Sequence, residues 1–145
     1  MAYRGRSRCQ IPVEKVEIPS PETAYYKYPE TGSIPSGNMI PLNEVLVLSQ
    51  NILTEDNYSI RLNNGVYRLG FSLVALPSAE GVAGAAIYIN NINTNIVSLA
   101  SSNANKSNPL SALGIVVVSS NNTILTLRHF GNIATSYSYI NLVIE

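Results

Sequence analysis

Residues 66–76 only half fit a strand with one face in water. The odd positions Tyr67, Leu69, Phe71, Leu73 and Ala75 make one apolar face, as the two-residue side-chain period of a β-strand requires. The even positions Val66, Gly70, Val74 and Leu76 are apolar as well, broken only by Arg68 and Ser72. Short apolar segments recur at 45–48, 58–62, 85–89, 96–99, 114–118, 123–128 and 137–144. Turn-forming clusters separate them: Asn63-Asn64-Gly65, Pro77-Ser78-Ala79-Glu80-Gly81, Asn90-Asn91, and the runs 100–109, 119–122 and 130–136. Asn and Gly accept positive φ and so close tight turns at little cost. Beyond Pro41 no segment keeps a 3.6-residue apolar period, which predicts an all-β chain with very little helix. Eight to ten short, regularly punctuated strands predict a two-sheet β-sandwich of the jelly-roll type.

Residues 1–41 follow a different pattern, with six of the eight prolines and nine of the eighteen charges. Proline fixes φ and has no N–H, so neither a helix nor a central strand is expected there. Single apolar residues (Ile11, Val13, Val16, Ile18) and the aromatic group Tyr25, Tyr26 and Tyr28 exceed what a solvated tail needs. The expectation is an extended proline-rich arm over 1–41 that docks on something, followed by a jelly-roll domain over 42–145. A disordered tail is the plainer alternative.

Several strands share the two-sided apolar character of 66–76. Residues 114–118 and 85–89 are apolar on both sides, and the last strand sets Ile140, Leu142 and Ile144 against Tyr137, Tyr139 and Val143. A sandwich hides one face of each sheet. Ten such side chains left in water would forgo about 1.5–3 kcal/mol apiece, so burial between identical copies is the economical solution. A thicker monomeric core is the alternative.

Composition narrows the partners. Charged residues are 12% of the chain, against about 25% in ordinary soluble domains. Nine basic and nine acidic side chains cancel, leaving no field to attract nucleic acid or an anionic membrane. Cys9 is the only cysteine, which rules out an intrachain disulfide. No apolar run approaches the roughly 18 residues of a membrane span. The N-terminal basic residues lack an apolar segment behind them, so synthesis in a cytoplasm without a secretion signal is expected.

Candidate chemistry is sparse. His129 is the one histidine and Asp56 the one aspartate, which offers little for a nucleophile–base–acid arrangement. His129 and Cys9 are the only soft metal ligands, short of the three or four that zinc takes. Glu44, Glu55 and Asp56 lack a calcium-loop pattern and read as surface charge. Residues 81–84 lead into a strand, unlike a phosphate loop. Arg4, Arg6 and Arg8 are balanced by Glu14 and Glu17 and suit a protein surface. Three Asn-x-Ser/Thr matches, at Asn57, Asn105 and Asn121, read as chance without a signal peptide. No catalytic residue, metal or cofactor is expected.

The run Gly65-Val66-Tyr67-Arg68-Leu69-Gly70-Phe71 resembles the Gly-x-Tyr strand of C1q/TNF-like jelly rolls, and Tyr137–Glu145 is similar to their last strand. The low charge, the Asn/Ser/Thr-rich loops and Ile87-Tyr88-Ile89-Asn90 resemble the C-terminal domain of collagen-like spore-surface glycoproteins and related phage particle domains. The resemblance covers roughly residues 40–145. It implies a homotrimer with Tyr67, Leu69, Phe71, Tyr137, Tyr139 and Ile140 at the interface, and it leaves open which sheet face meets the axis. No Gly-X-Y stalk precedes the domain, so the expected role is a capsid decoration protein or short head fibre on a phage virion, held to the capsid lattice by the arm. The alternatives are a spore-coat or exosporium surface protein, and a glycan- or receptor-binding module using loops 100–109 and 130–136.

Overall fold

The computed structural model describes residues 23–42, 44–47 and 50–145. The expected anchors Ile11, Val13, Val16 and Ile18 lie outside the described residues. Ten strands form: β1 (Ala24–Glu30), β2 (Glu44–Val47), β3 (Ile52–Thr54), β4 (Ser59–Leu62), β5 (Gly65–Pro77), β6 (Gly81–Ile89), β7 (Ile92–Ser102), β8 (Asn108–Val118), β9 (Thr123–His129) and β10 (Thr135–Ile144). No helix forms among the described residues. Two five-stranded sheets, ordered β2-β1-β10-β5-β8 and β3-β4-β9-β6-β7, pack face to face, and all their pairings are antiparallel. This is the expected jelly-roll sandwich.

Local sequence explains much of it. The odd side chains of β5 point inward and its even ones outward, as the alternation requires. Asn90 and Asn91 both have positive φ, 48° and 66°. They close the β6–β7 hairpin as a two-residue turn whose twist matches the flanking strands. Between the sheets lie Tyr26, Leu69, Ile87, Leu125, Leu127, Tyr137, Ile140 and Leu142, all fully buried.

Three expectations need correction. The domain begins well before residue 42, because β1 is an inner strand paired from Ala24–Ile144 to Glu30–Ser138 with β10. Ala24 and Tyr26 alternate into the core, and Ile34, Ile40 and Leu42 add to it. Of the tyrosines assigned to the arm, Tyr26 is therefore a core residue and Tyr25 and Tyr28 belong to the sheet. Proline did not exclude a strand here because Pro29 falls opposite Tyr139, between the pairs Tyr28–Ile140 and Glu30–Ser138. The β1–β10 ladder skips that one pair, and the Tyr139 carbonyl accepts the Asn141 side-chain amide instead.

The second correction concerns the phase of β10. Between Ser138–Val74 and Asn141–Ser72 two residues, Tyr139 and Ile140, oppose one on β5. Such a bulge shifts the inward–outward alternation by one. Tyr137 and Ile140 thus share the inner side, where simple alternation sets them apart. Third, the edge strand β7 extends to Ser102 and β8 starts at Asn108, which leaves a loop of only residues 103–107.

Candidate functional site

The outer face of the first sheet carries the feature that a solitary subunit does not explain. Val66 (67% exposed), Leu113 (70%), Ile115 (71%), Val117 (75%) and Tyr139 (75%) stand in solvent there. The phase of β5 puts Val66 outward, and β8, paired residue for residue with β5, puts Val117 beside it, with Ile115 and Leu113 following along the same face opposite Arg68 and Gly70. Tyr139 owes its position to the bulge and has a φ of 51°. A left-handed conformation costs an L-residue roughly 1–2 kcal/mol and is unusual for a bulky side chain.

Charge on this face is internally matched. Arg68 pairs with Glu145, and Lys27 with Glu44 at 3.4 Å. The Tyr25 hydroxyl donates to Asn141 Oδ1. A groove of about 380 Å³ runs over Gly70, between Leu113 on β8 and Val143 on β10, with Ser72 and Asn141 at one end and Arg68 and Glu145 at the other.

The residues the sequence nominated for a trimer seam are divided by the structure. Tyr67, Leu69, Phe71, Tyr137 and Ile140 are covered by the facing sheet of their own subunit; the inner core already occupies the surface they would offer a partner. Tyr139 alone of the six is open. Sequence reasoning missed Val66, Leu113, Ile115 and Val117 as a set. The apolar residues alternating at 113, 115 and 117 were a usable signal, but only the β5–β8 register puts them next to Val66.

The titratable candidates serve packing. The Tyr137 hydroxyl donates to the Gly84 carbonyl, so its oxygen accepts from His129 Nδ1–H, which also approaches the Gly84 carbonyl at 3.3 Å. This puts the proton on Nδ1, and Nε2 meets no hydrogen-bond partner among the described residues. Burial lowers the His129 pKa and raises that of Tyr137. Asp56 Oδ1 accepts the Tyr58 and Ser59 amides at 2.7 Å each, and the Tyr58 bond is the main reason its pKa is lowered. His129 and Asp56 are thus each engaged in their own local structure.

A second cleft, of about 450 Å³, is lined by Tyr88, Leu99, Phe130 and Asn132 among others. Beside it the Arg128 guanidinium stacks on the Tyr88 ring, 4.7 Å from its centroid, and bonds Thr126 and Asn91. This cleft takes in part of the 130–136 segment expected to bind ligand.

No family model matches the sequence, and no curated protein matches it. Solved structures do. The Eiger TNF from S. frugiperda aligns with a TM-score of 0.66 at 11% identity, over 85% of this chain and 90% of its own. The globular domain of zebrafish complement 1qA gives 0.60 at 10% identity, over 84% and 95%. Murine APRIL at pH 5.0 gives 0.57 at 12% identity, over 84% and 97%. The fold is that of the C1q/TNF-like jelly rolls. Identities this low speak to the backbone arrangement, and within that arrangement the open apolar face belongs to the sheet β2-β1-β10-β5-β8.

Proposed function

We propose that this C1q/TNF-like chain is a non-enzymatic structural protein. It assembles as a homotrimer through the outer face of the sheet β2-β1-β10-β5-β8 and sits on the surface of a phage virion as a capsid decoration protein or short head fibre. The observation that carries the self-association is that face. Five large apolar side chains stand there between 67% and 75% exposed, with local charges already paired. A neutral apolar face suits a copy of itself better than a charged partner. Attachment is assigned to residues 1–22, whose apolar residues Ile11, Val13, Val16 and Ile18, interleaved with polar ones, suit pairing with a host lattice.

Light scattering on the eluting protein should report about 47 kDa, three times the 15.7 kDa chain; a stable monomer at micromolar concentration refutes the reading. Deleting residues 2–22 should preserve the trimer and abolish incorporation into particles, and unchanged incorporation refutes the anchoring role. A second reading, glycan recognition, is favoured by the aromatic cleft at Tyr88 and Phe130. It requires glycan-array binding that Phe130→Ala removes.

A further inference from the structure

Resting on the threefold reading above, we infer that Tyr139 of one subunit seats in the groove over Gly70 of the next. The bulge in β10 and the left-handed φ of 51° together turn a tyrosine ring out of its own subunit, and three quarters of it is exposed. Strained backbone persists where the surroundings give it a use. Among the described residues nothing uses this ring, whereas a neighbour would.

The groove fits such a ring. Its floor is kept open by glycine, since a Cβ at position 70 would lie 3.1 Å from Leu113 Cδ1. Its middle is apolar, between Leu113 and Val143, and both ends are polar. A phenol presents that same sequence of an apolar body and a hydrogen-bonding tip. Arg68 and Glu145 at the far end neutralise each other, so no charged ligand is called for.

The occupant is a second copy. Leu113, Ile115 and Val117 on β8, with Val66 beside Val117 on β5, make a neutral apolar stripe left open by the subunit, the kind of surface that a copy of the same chain covers. Tyr139 cannot fill its own groove. It lies four residues before Val143, which pairs with Gly70, roughly 10–13 Å along the same face. Each subunit therefore donates one ring and accepts one.

The test uses a Cys9→Ser chain carrying Tyr139→Cys and Leu113→Cys. Within one subunit these positions are two strands apart and four residues out of step, roughly 15 Å, beyond disulfide reach. Mild oxidation should give covalent trimers on a non-reducing gel, collapsing to monomers with reductant, and neither single variant should pass beyond dimers. A band that stops at dimer in the double variant supports the seat and overturns the threefold ring. Trimers by light scattering without a cross-link overturn the seat and leave the trimer standing; a monomeric parent chain overturns the trimer itself. In parallel, Tyr139→Gly should weaken association at least tenfold while leaving the subunit's own unfolding midpoint unchanged or higher. Association unchanged in Tyr139→Gly also overturns the seat.

Discussion

Replacing Ile115 by asparagine separates the two surfaces of the first sheet. In the isolated subunit Ile115 is 71% exposed, so the change should move folding stability by no more than about 0.5 kcal/mol, as at other open surface sites. In the proposed trimer the same side chain would be covered. Full burial of an isoleucine contributes about 1.5–3 kcal/mol; scaling by the exposed fraction leaves about 1–2 kcal/mol per subunit, or about 3–6 kcal/mol for three. An amide that finds no partner in the interface adds about 1–3 kcal/mol per copy. Association should therefore weaken by at least two orders of magnitude at 1.4 kcal/mol per tenfold. Sedimentation equilibrium over a hundredfold concentration range reads the dissociation, and urea unfolding of the dilute subunit reads the fold. An oligomer of unchanged stability would show that this face is not the seam. A large loss of subunit stability would show instead that Ile115 is packed within the chain.

On the inner face of the same sheet the outcome reverses: Leu69→Ala, at a fully buried position, should lower subunit stability by about 2–5 kcal/mol. A loss under 1 kcal/mol in urea would contradict the assigned core. The pH dependence follows from His129, whose pKa burial holds below its unfolded value near 6.5. The unfolded chain binds the proton more readily, so this contribution is intact above about pH 6.5. It is lost as pH falls toward the lower folded value, by at most about 1.4 kcal/mol per unit. With Tyr137 as the hydrogen-bonded neighbour and, among the described residues, no carboxylate bonded to the ring, His129→Gln should flatten that stretch of the stability profile; an unchanged slope sinks the assignment. At the β6–β7 turn, Asn91→Val forces a β-branched residue to a φ of 66° and should cost about 1–2 kcal/mol. Asn91→Gly should come close to neutral in the same thermal melt.

Some of this architecture is legible one residue at a time. The alternation from Tyr67 to Ala75 predicts an inner and an outer face for β5 because side chains on a strand repeat every two residues, whatever the strand packs against. Asn90-Asn91 predicts a tight turn because few residues tolerate left-handed backbone. Low charge and two-sided apolar strands point to a jelly roll with surface to spare, and the structure supplies both.

Long-range pairing decided the rest. That Ala24–Glu30 is an inner strand despite Pro29 depends on which strand lies opposite, since a missing N–H matters only where the ladder would have used it. The bulge at Tyr139 arises from counting residues on two strands more than sixty positions apart, so no local pattern announces that Tyr137 turns inward with Ile140 while Tyr139 turns out. The candidate site has the same origin. Val66 and Val117 are neighbours only through the β5–β8 register. Composition and periodicity set how much apolar surface the chain carries; the strand pairing fixes which part stays uncovered, because a strand's own period names two faces and the packing of the second sheet chooses between them.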